Sequence, residues 1–176
     1  DEVLPYEERD PYAVVFGGRS MKQRLYAALT QEHVHQLSAA GVERIVDIGT
    51  PGEAPESVHG CPVEEHGFMQ AETLSTWLQH ARVGLLHYPT DYLTKSGIWS
   101  SYIAHGVLPV IFSSPRSTHL IEKDKHFVRW DARKHCSLAS AGISAGMLWH
   151  WYQEHASSGN AAYRFLDAMT QSAVKQ

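Results

Sequence analysis

Cysteine is scarce in this 176-residue chain, which contains only Cys61 and Cys136, far apart in the sequence. Such a pair excludes a disulfide-rich scaffold and a cysteine metal cluster. Two reduced, buried thiols or a single disulfide remain open. No apolar run approaches about 18 residues, so the sequence predicts no membrane-spanning helix.

A basic excess is also lacking, since 15 Lys and Arg stand against 19 Asp and Glu for a net charge of -4. This balance argues against a nucleic-acid partner. Twelve histidines are present, but there is no HExxH motif and no Cys-His cluster. His33 and His35 lie two positions apart on a predicted helix, so they point to different faces and make a poor chelate. We therefore expect no metal site.

The amino-terminal segment has neither an initiating Met nor the apolar stretch of a signal peptide. We therefore expect a cytoplasmic protein, and expect the chain to be a piece of a longer one. Residues 1–11 contain two prolines and five acidic residues, which is typical of a linker or an arm. Residues 12–176 have the length of a single domain, and the 43% hydrophobic content of the whole chain is that of a globular protein.

Apolar runs bounded by glycine or proline alternate with segments of helical periodicity along the domain. The pattern predicts strands at 12–16, 44–48, 63–69, 83–88, 107–112 and 126–130, the last at a sheet edge and with Pro109 near the start of its strand. It predicts helices at 21–40, 71–81, 97–105, 138–155 and 161–174, and polar connections at 53–60 and 113–125. This alternation indicates an α/β fold, a Rossmann-like three-layer sandwich with a mostly parallel central sheet.

In such sheets ligands bind beyond the carboxyl ends of the strands, at a switch point. Four predicted loops meet there, at 17–22, 50–52, 89–97 and 113–117. The first loop reads FGGRSMK, in which Gly17 and Gly18 permit a tight turn with exposed N–H groups. Arg19 and Lys22 then lie at a helix start, where anions are favoured. Together these four residues are candidates for holding a diphosphate; the alternative is a plain turn with two surface cations.

The loop at 89–97 reads PTDYLTKSG and opens the next helix. Thr94, Lys95, Ser96 and Gly97 bring a cation, two hydroxyls and free backbone N–H groups to one place, which also suits a phosphate. The alternative is a Ser N-cap beside an exposed lysine. Three further residues are candidates for lining the crevice: Thr50, Pro89 and Asp91.

Several other polar residues have simpler interpretations. His87 and His105 stand in apolar segments and are interpreted as core or helix-end histidines. Asp47 lies inside a predicted strand and is interpreted as structural. No residue is assigned a catalytic role.

The run EEHGFMQAETLSTWLQHARVGLLHYP resembles the nucleotide-sugar-binding half of GT-B fold glycosyltransferases of the retaining, group-1 (family 4-like) type. In that family a strand ending in Gly leads into a polar helix start, an apolar helix and a strand ending in Pro-Ser. The matching positions are Gly67, Leu74, Leu78, Ala81 and Tyr88-Pro89.

The continuation KSGIWSSYIAHGVLPVIFSS is similar to the family's Gly-containing helix that ends in A-x-G and leads to P-V-V. Upstream, Gly18-Arg19 and Lys22 resemble the family's G-R…K pair, which contacts the donor diphosphate. The resemblance spans about residues 14–114. One departure is the lack of any glutamate at 91–106, where the family often has two that contact the donor sugar and ribose.

The resemblance implies the carboxy-terminal half of a GT-B fold and a hexosyltransferase of carbohydrate biosynthesis. The implied substrate is a nucleotide-diphospho-sugar donor, with no metal or other cofactor. The implied partner is an amino-terminal acceptor domain, absent here, through which many related enzymes dock on a membrane; membrane association of this one stays open. The isolated domain would bind nucleotide and transfer little sugar. Two alternatives are a non-catalytic Rossmann-like binding or assembly domain and half of a nucleotide-sugar epimerase.

Overall fold

The computed structural model describes residues 3–52, 54–112, 127–130 and 141–157, with the backbone alone at 141–145. The helix predicted at 161–174, the connection at 113–125 and Cys136 lie outside these residues. Within them no helix is long and apolar enough to cross a membrane.

One seven-stranded sheet forms the centre of the described structure. Its strands are β1 Asp10–Gly17, β2 Arg44–Gly49, β3 Ser57–Val58, β4 Cys61–Gly67, β5 Ala81–His87, β6 Leu108–Phe112 and β7 Val128–Arg129. The described helices are α1 Arg19–Ala28, α2 Gln31–Ala39, α3 Ala71–His80, α4 Gly97–Ala104 and α5 Ala141–His155, with 3₁₀ turns at Tyr6–Glu8 and Thr90–Lys95.

The strand order is β3-β4-β2-β1-β5-β6-β7, and every neighbouring pair is parallel except β3 with β4. The chain steps outward from β1 to β2 and β4 in one direction and then to β5, β6 and β7 in the other. Right-handed crossovers in opposite directions place helices on both faces of the sheet. The order is that of a doubly wound, Rossmann-like fold, which confirms the predicted fold class.

The apolar runs form strands because their side chains are buried on both faces, as parallel sheets require. Val14 and Val15 in β1, Leu85 in β5 and Val110 in β6 have no solvent exposure. Pro109 is the second residue of β6, near the strand's start as predicted. β7 lies at the edge of the described sheet, also as predicted.

Two predicted elements are wrong in detail. The helix predicted at 21–40 is two helices, because Leu29 adopts an extended backbone after α1. Thr30 then caps α2 in a reciprocal capping box with His33. The loop predicted at 53–60 contains β3, which turns into β4 through His59 and Gly60, both with positive φ (48° and 87°). Positive φ at both central residues is the requirement of the tight turn that joins twisted antiparallel strands.

The arm before β1 is ordered against the domain from residue 3 onward. The Tyr6 hydroxyl donates to the Ala40 carbonyl at 2.7 Å. The strand begins at Asp10, two residues earlier than predicted. Cys61 is a buried free thiol, and burial raises its pKa, so it has the character of a structural cysteine rather than a nucleophile.

Candidate functional site

The switch point of the sheet lies between β1 and β5, where the direction of strand succession reverses. The two strands stay paired through Val15 and Leu85 and then separate. Beyond that pair, the Phe16 N–H donates to the Tyr102 hydroxyl at 3.1 Å instead of to a β5 carbonyl. The crevice expected from the sequence therefore begins at this separation.

Tyr102 supplies hydrogen-bond partners to backbone groups of the separating strands. The sequence analysis did not identify this residue. It reaches the sheet from α4, and its hydroxyl lies 3.3 Å from the Val14 carbonyl and 3.2 Å from the Leu85 carbonyl. One buried hydroxyl thus bridges β1 and β5. Burial raises the Tyr102 pKa, so the hydroxyl keeps its proton at physiological pH.

The bridge depends on a glycine in β5. A Cβ atom at Gly84 would lie 2.5 Å from Cδ2 and 2.6 Å from Cε2 of Tyr102. A glycine inside an otherwise apolar strand often marks such a close approach. Gly84 within the run VGLLHY was therefore the available sequence signal for an aromatic side chain lying across β5.

The end of β1 is packed tightly against both flanking loops. A Cβ at Gly17 would meet Cδ1 of Ile98 at 2.7 Å and Cε of Met21 at 2.8 Å. A Cβ at Gly49, whose φ is +114°, would lie 2.6 Å from the Gly17 carbonyl oxygen. The ends of β1 and β2 and the first turns of α1 and α4 therefore meet at one point.

The amino terminus of α1 opens onto this point. Its N-cap is Gly18, which supplies no capping side chain, and a Cβ there would meet nothing within 4 Å. Arg19 follows as the first helical residue and is exposed. The first N–H groups of a helix lack intrahelical acceptors and carry the positive end of its dipole. An anion can therefore approach Gly18 and Arg19 from solvent.

Lys22 is placed differently from the prediction. It has no solvent exposure, and its ammonium pairs with the equally buried Asp47 carboxylate. It also donates to the Thr50 carbonyl at 2.8 Å. The same carboxylate accepts from the Tyr26 hydroxyl at 2.5 Å. Lys22 is therefore neither the ligand-facing cation nor the surface cation that the sequence suggested, because its donors are engaged inside the fold.

This buried group, Lys22, Tyr26 and Asp47, positions the loop after β2. Lys22 fixes the Thr50 carbonyl, and the Thr50 N–H lies 3.4 Å from the Gly17 carbonyl. Thr50 is half-buried beside the end of β1, as a crevice residue should be. Asp47, interpreted from the sequence as structural, anchors both α1 side chains from the centre of the sheet.

The second candidate loop forms the 3₁₀ turn after β5 and leads into α4. The Ser96 hydroxyl accepts from the Trp99 N–H at 3.2 Å and caps the helix, so the capping role weighed for Ser96 is present. Thr94 and Lys95 are exposed, and a Cβ at Gly97 would meet nothing within 4 Å. The Lys95 ammonium lies 5.5 Å from the Tyr92 ring centroid.

Pro89, Asp91 and His87 lie at the same edge of the sheet, whereas His105 lies at the opposite edge. Pro89 and Asp91 are exposed at the start of the second loop. His87 ends β5 half-buried, and its pKa is lowered by burial and by the nearby Arg24. His105 is a helix-end histidine, as interpreted, since it is the C-cap of α4. Residues 113–117 lie outside the described residues.

The described site therefore presents two helix starts and two exposed cations, Arg19 and Lys95, a combination that favours anions. Within the described part of the chain no group of three His, Cys, Asp or Glu side chains is arranged to hold a metal.

Comparison with known proteins bears on the fold. No protein-family profile and no curated protein matches the chain. One similar solved structure is the pneumococcal O-GlcNAc transferase GtfA in complex with UDP and GlcNAc, at 14% identity and a TM-score of 0.46. Another is a chain of the GtfA/B complex, at 15% identity and a TM-score of 0.50.

Both likenesses extend over 97% of this chain, which spans 35% of the length of the first similar chain and 38% of the second. At 15% identity the likeness to the GtfA/B chain concerns the fold alone. The chain accordingly has an α/β, Rossmann-like fold similar to that of the GtfA/B chain.

Proposed function

We propose that the chain is the donor-binding domain of a glycosyltransferase and binds a nucleotide-diphospho-sugar at the β1–β5 switch point. The observation that carries the proposal is the convergence of two helix starts at the place where β1 and β5 separate. The α1 start carries Arg19, the α4 start follows Lys95, and Gly17 lies against Ile98 between them. The Rossmann-like fold and its likeness to the GtfA/B chain support the assignment.

In the proposed complex, the diphosphate lies across Gly18 and accepts from the free N–H groups of α1. Arg19 donates two parallel hydrogen bonds to it, for which a guanidinium is suited. Lys95 and the first turn of α4 neutralise the charge that develops on the leaving diphosphate. These groups take the place of a metal ion. Lys22 takes part indirectly, by holding the Thr50 loop.

We further propose that sugar transfer needs a second, acceptor-binding domain of the same enzyme. The chain spans 38% of the similar GtfA/B chain, which leaves room for such a domain. The isolated chain should then bind nucleotide but transfer little sugar. A cytoplasmic location, with membrane docking through the acceptor domain, belongs to the same proposal.

The second candidate is a non-catalytic assembly domain that keeps the fold without the donor site. The internal engagement of Lys22 favours it, because one of the two cations expected at the diphosphate is unavailable. The lack of glutamate at 91–106 favours it as well. Absence of nucleotide affinity in the intact enzyme would support this alternative.

The test is a thermal-shift and calorimetric comparison of UDP, GDP, ADP, TDP and their sugars. Ligand at 100 times its dissociation constant adds about 2.7 kcal/mol of stability, a shift of about 5 to 10 °C for a chain of this size. We expect one diphosphate family to shift the chain selectively. Loss of a charge-assisted bidentate contact in Arg19→Ala should weaken binding about ten- to a hundred-fold.

The matched control is Arg24→Ala, which removes the same charge from an exposed position farther along α1. Its effect should be several-fold smaller, because general attraction between exposed charges is screened by salt. Equal losses in the two variants would contradict a specific contact at Arg19. If no nucleotide binds either the chain or the intact enzyme, the donor-binding proposal fails and the assembly domain stands.

A further inference from the structure

A second concave site lies at the opposite edge of the sheet from the switch point. It is a cavity of about 690 Å³ between the amino-terminal arm, the carboxyl ends of α3 and α4, and one face of α5. His80 and His105, which line it, adjoin the amino ends of β5 and β6. Its volume falls within the roughly 300–1,000 Å³ of small-molecule sites. We call it the amino-edge cavity.

The cavity walls are held in place by a buried arginine. Arg9 is only 2% exposed, and its guanidinium donates to three carbonyls: Leu4 at 3.0 Å, Ala81 at 2.9 Å and His105 at 3.0 Å. Each acceptor either lines the cavity or adjoins a residue that does. One side chain thus ties the arm to the ends of α3 and α4.

The amino-terminal arm packs against the turn that follows α4. This contact leaves no room for a side chain at Gly106. A Cβ there would lie 2.8 Å from an Arg9 guanidinium nitrogen and 2.9 Å from Cγ1 of Val3. Val3 itself lines the cavity. This wall of the cavity is therefore tightly packed.

The imidazole of His105 is fixed in the same wall. Its Nδ1 lies 2.7 Å from the Ser101 carbonyl, and its Nε2 lies 2.8 Å from the Ser75 hydroxyl. Since a carbonyl only accepts, Nδ1 carries a proton and donates, and in the neutral ring the Ser75 hydroxyl donates to Nε2. The ring is therefore held in one orientation in the wall of the cavity.

The lining suits an uncharged ligand. No lysine, arginine, aspartate or glutamate is among the described residues that line the cavity. The Ala81 and His105 carbonyls that Arg9 binds are the C-caps of α3 and α4. Arg9 thereby offsets the negative ends of the two helix dipoles. Asp10 lies outside the lining, 3.7 Å from the His80 ring.

The remaining lining combines an aromatic face with amides. Trp149 and Gln153 lie four residues apart on α5 and therefore share the face that looks into the cavity. Gln79 adds a second amide from α3. A sugar ring has apolar C–H faces and hydroxyl edges, which match an indole surface bordered by amide and imidazole groups.

We propose that the amino-edge cavity binds a sugar unit of a neutral glycan, with Trp149 as the stacking surface and Gln79, Gln153 and His80 as hydrogen-bonding partners. His105 shapes the wall, because Ser101 and Ser75 already engage both of its ring nitrogens. This site is separate from the switch point, since the two lie at opposite ends of β5. It does not depend on nucleotide binding. Within a longer enzyme it would hold a carbohydrate chain away from the reacting sugar.

The test uses indole N–H resonances of the 176-residue chain in NMR titrations. The probes are methyl β-glucoside, N-acetylglucosamine and maltose, and inorganic phosphate and choline are the charged comparisons. We expect saturable movement of the Trp149 resonance with at least one sugar and none with phosphate or choline. Gln153→Ala should weaken the sugar affinity read from the Trp149 resonance at least about ten-fold, and Trp149→Ala should weaken the affinity measured by calorimetry at least about ten-fold.

Met147→Ala is the matched control, because Met147 lies on the same helix, is 65% exposed and does not line the cavity. It should leave the affinity unchanged. Arg19→Ala should also keep the sugar affinity, which separates this proposal from the donor site. The proposal is overturned if no sugar moves the Trp149 resonance up to about 100 mM. Equal movement by phosphate or choline overturns it too. Should Trp149→Ala fail to fold, Gln153→Ala decides the question.

Discussion

Replacing Lys22 with methionine tests the account of the buried Lys22, Tyr26 and Asp47 group most directly. Both partners of the ion pair are fully buried. Removing the ammonium leaves the Asp47 carboxylate in the sheet with the Tyr26 hydroxyl as a remaining donor. Stranding one charge of a buried pair typically costs about 3–5 kcal/mol.

For a chain of this size, each kcal/mol shifts the melting temperature by about 2–4 °C, so Lys22→Met should lower it by about 6 to 20 °C. Thermal and urea unfolding followed by circular dichroism measure the effect. Lys95→Met is the matched control, because Lys95 is exposed. Its effect should stay within about 0.5 kcal/mol, as is usual for surface positions.

The stranded carboxylate, rather than the lost methylenes, is the expected cause, and a second substitution separates the two. Adding Asp47→Asn to Lys22→Met removes the unpaired charge while keeping an acceptor for Tyr26. The double variant should be more stable than Lys22→Met alone, since coupled neighbours are not additive. A double variant that loses further stability, or a Lys22→Met as mild as Lys95→Met, would refute the reasoning.

Three further predictions concern single positions. Burial lowers the pKa of His33 below its usual 6.5, so folding favours its neutral form; the resulting stability is complete above pH 6.5 and is lost as pH falls below it. His33→Gln should flatten this part of the pH–stability curve, whereas His35→Gln, on the exposed side of α2, should not. Gly49→Ala should destabilise by several kcal/mol, because its Cβ would meet the Gly17 carbonyl at 2.6 Å with φ at +114°. Gly18→Ala, in open space, should be near neutral in the same unfolding assay, and equal losses would contradict the packing described. Tyr102→Phe should cost about 1–3 kcal/mol, because the Phe16 N–H loses its acceptor; unchanged amide hydrogen exchange at Phe16 would show that the hydroxyl is not its partner.

The sheet could be predicted from the sequence because its strands are buried on both faces and therefore read as continuous apolar runs. Runs such as 12–16 and 107–112 end at glycine or at a polar turn, which fixed the strands to within one or two residues. The break between α1 and α2 was missed for a local reason. Thr30 is a good N-cap, but His33 stands where a capping box normally has Glu or Gln, so the sequence signature was hidden.

The candidate site was harder to predict, because its key contacts join residues far apart in the sequence. Tyr102 reaches Phe16 across 86 positions, and no local pattern reveals this. The partner of Asp47 could have been inferred from the sequence more readily. An aspartate in the middle of a buried strand requires a compensating donor, and Lys22 and Tyr26, about one helical turn apart on α1, were candidates.

The fate of the two cations of the FGGRSMK loop explains why a motif alone could not assign them. Arg19 and Lys22 are three residues apart, less than a full helical turn, so the sequence permits both to face one ligand. In the structure Arg19 is exposed to solvent, whereas Lys22 is buried because it pairs with Asp47. Measured in folded protein, Arg19→Ala should therefore reduce nucleotide affinity more than Lys22→Met, while Lys22→Met should reduce stability more than Arg19→Ala. The reverse order in both assays would mean that Lys22 leaves Asp47 for the diphosphate when nucleotide binds, and that the buried pair is the empty state of the donor site.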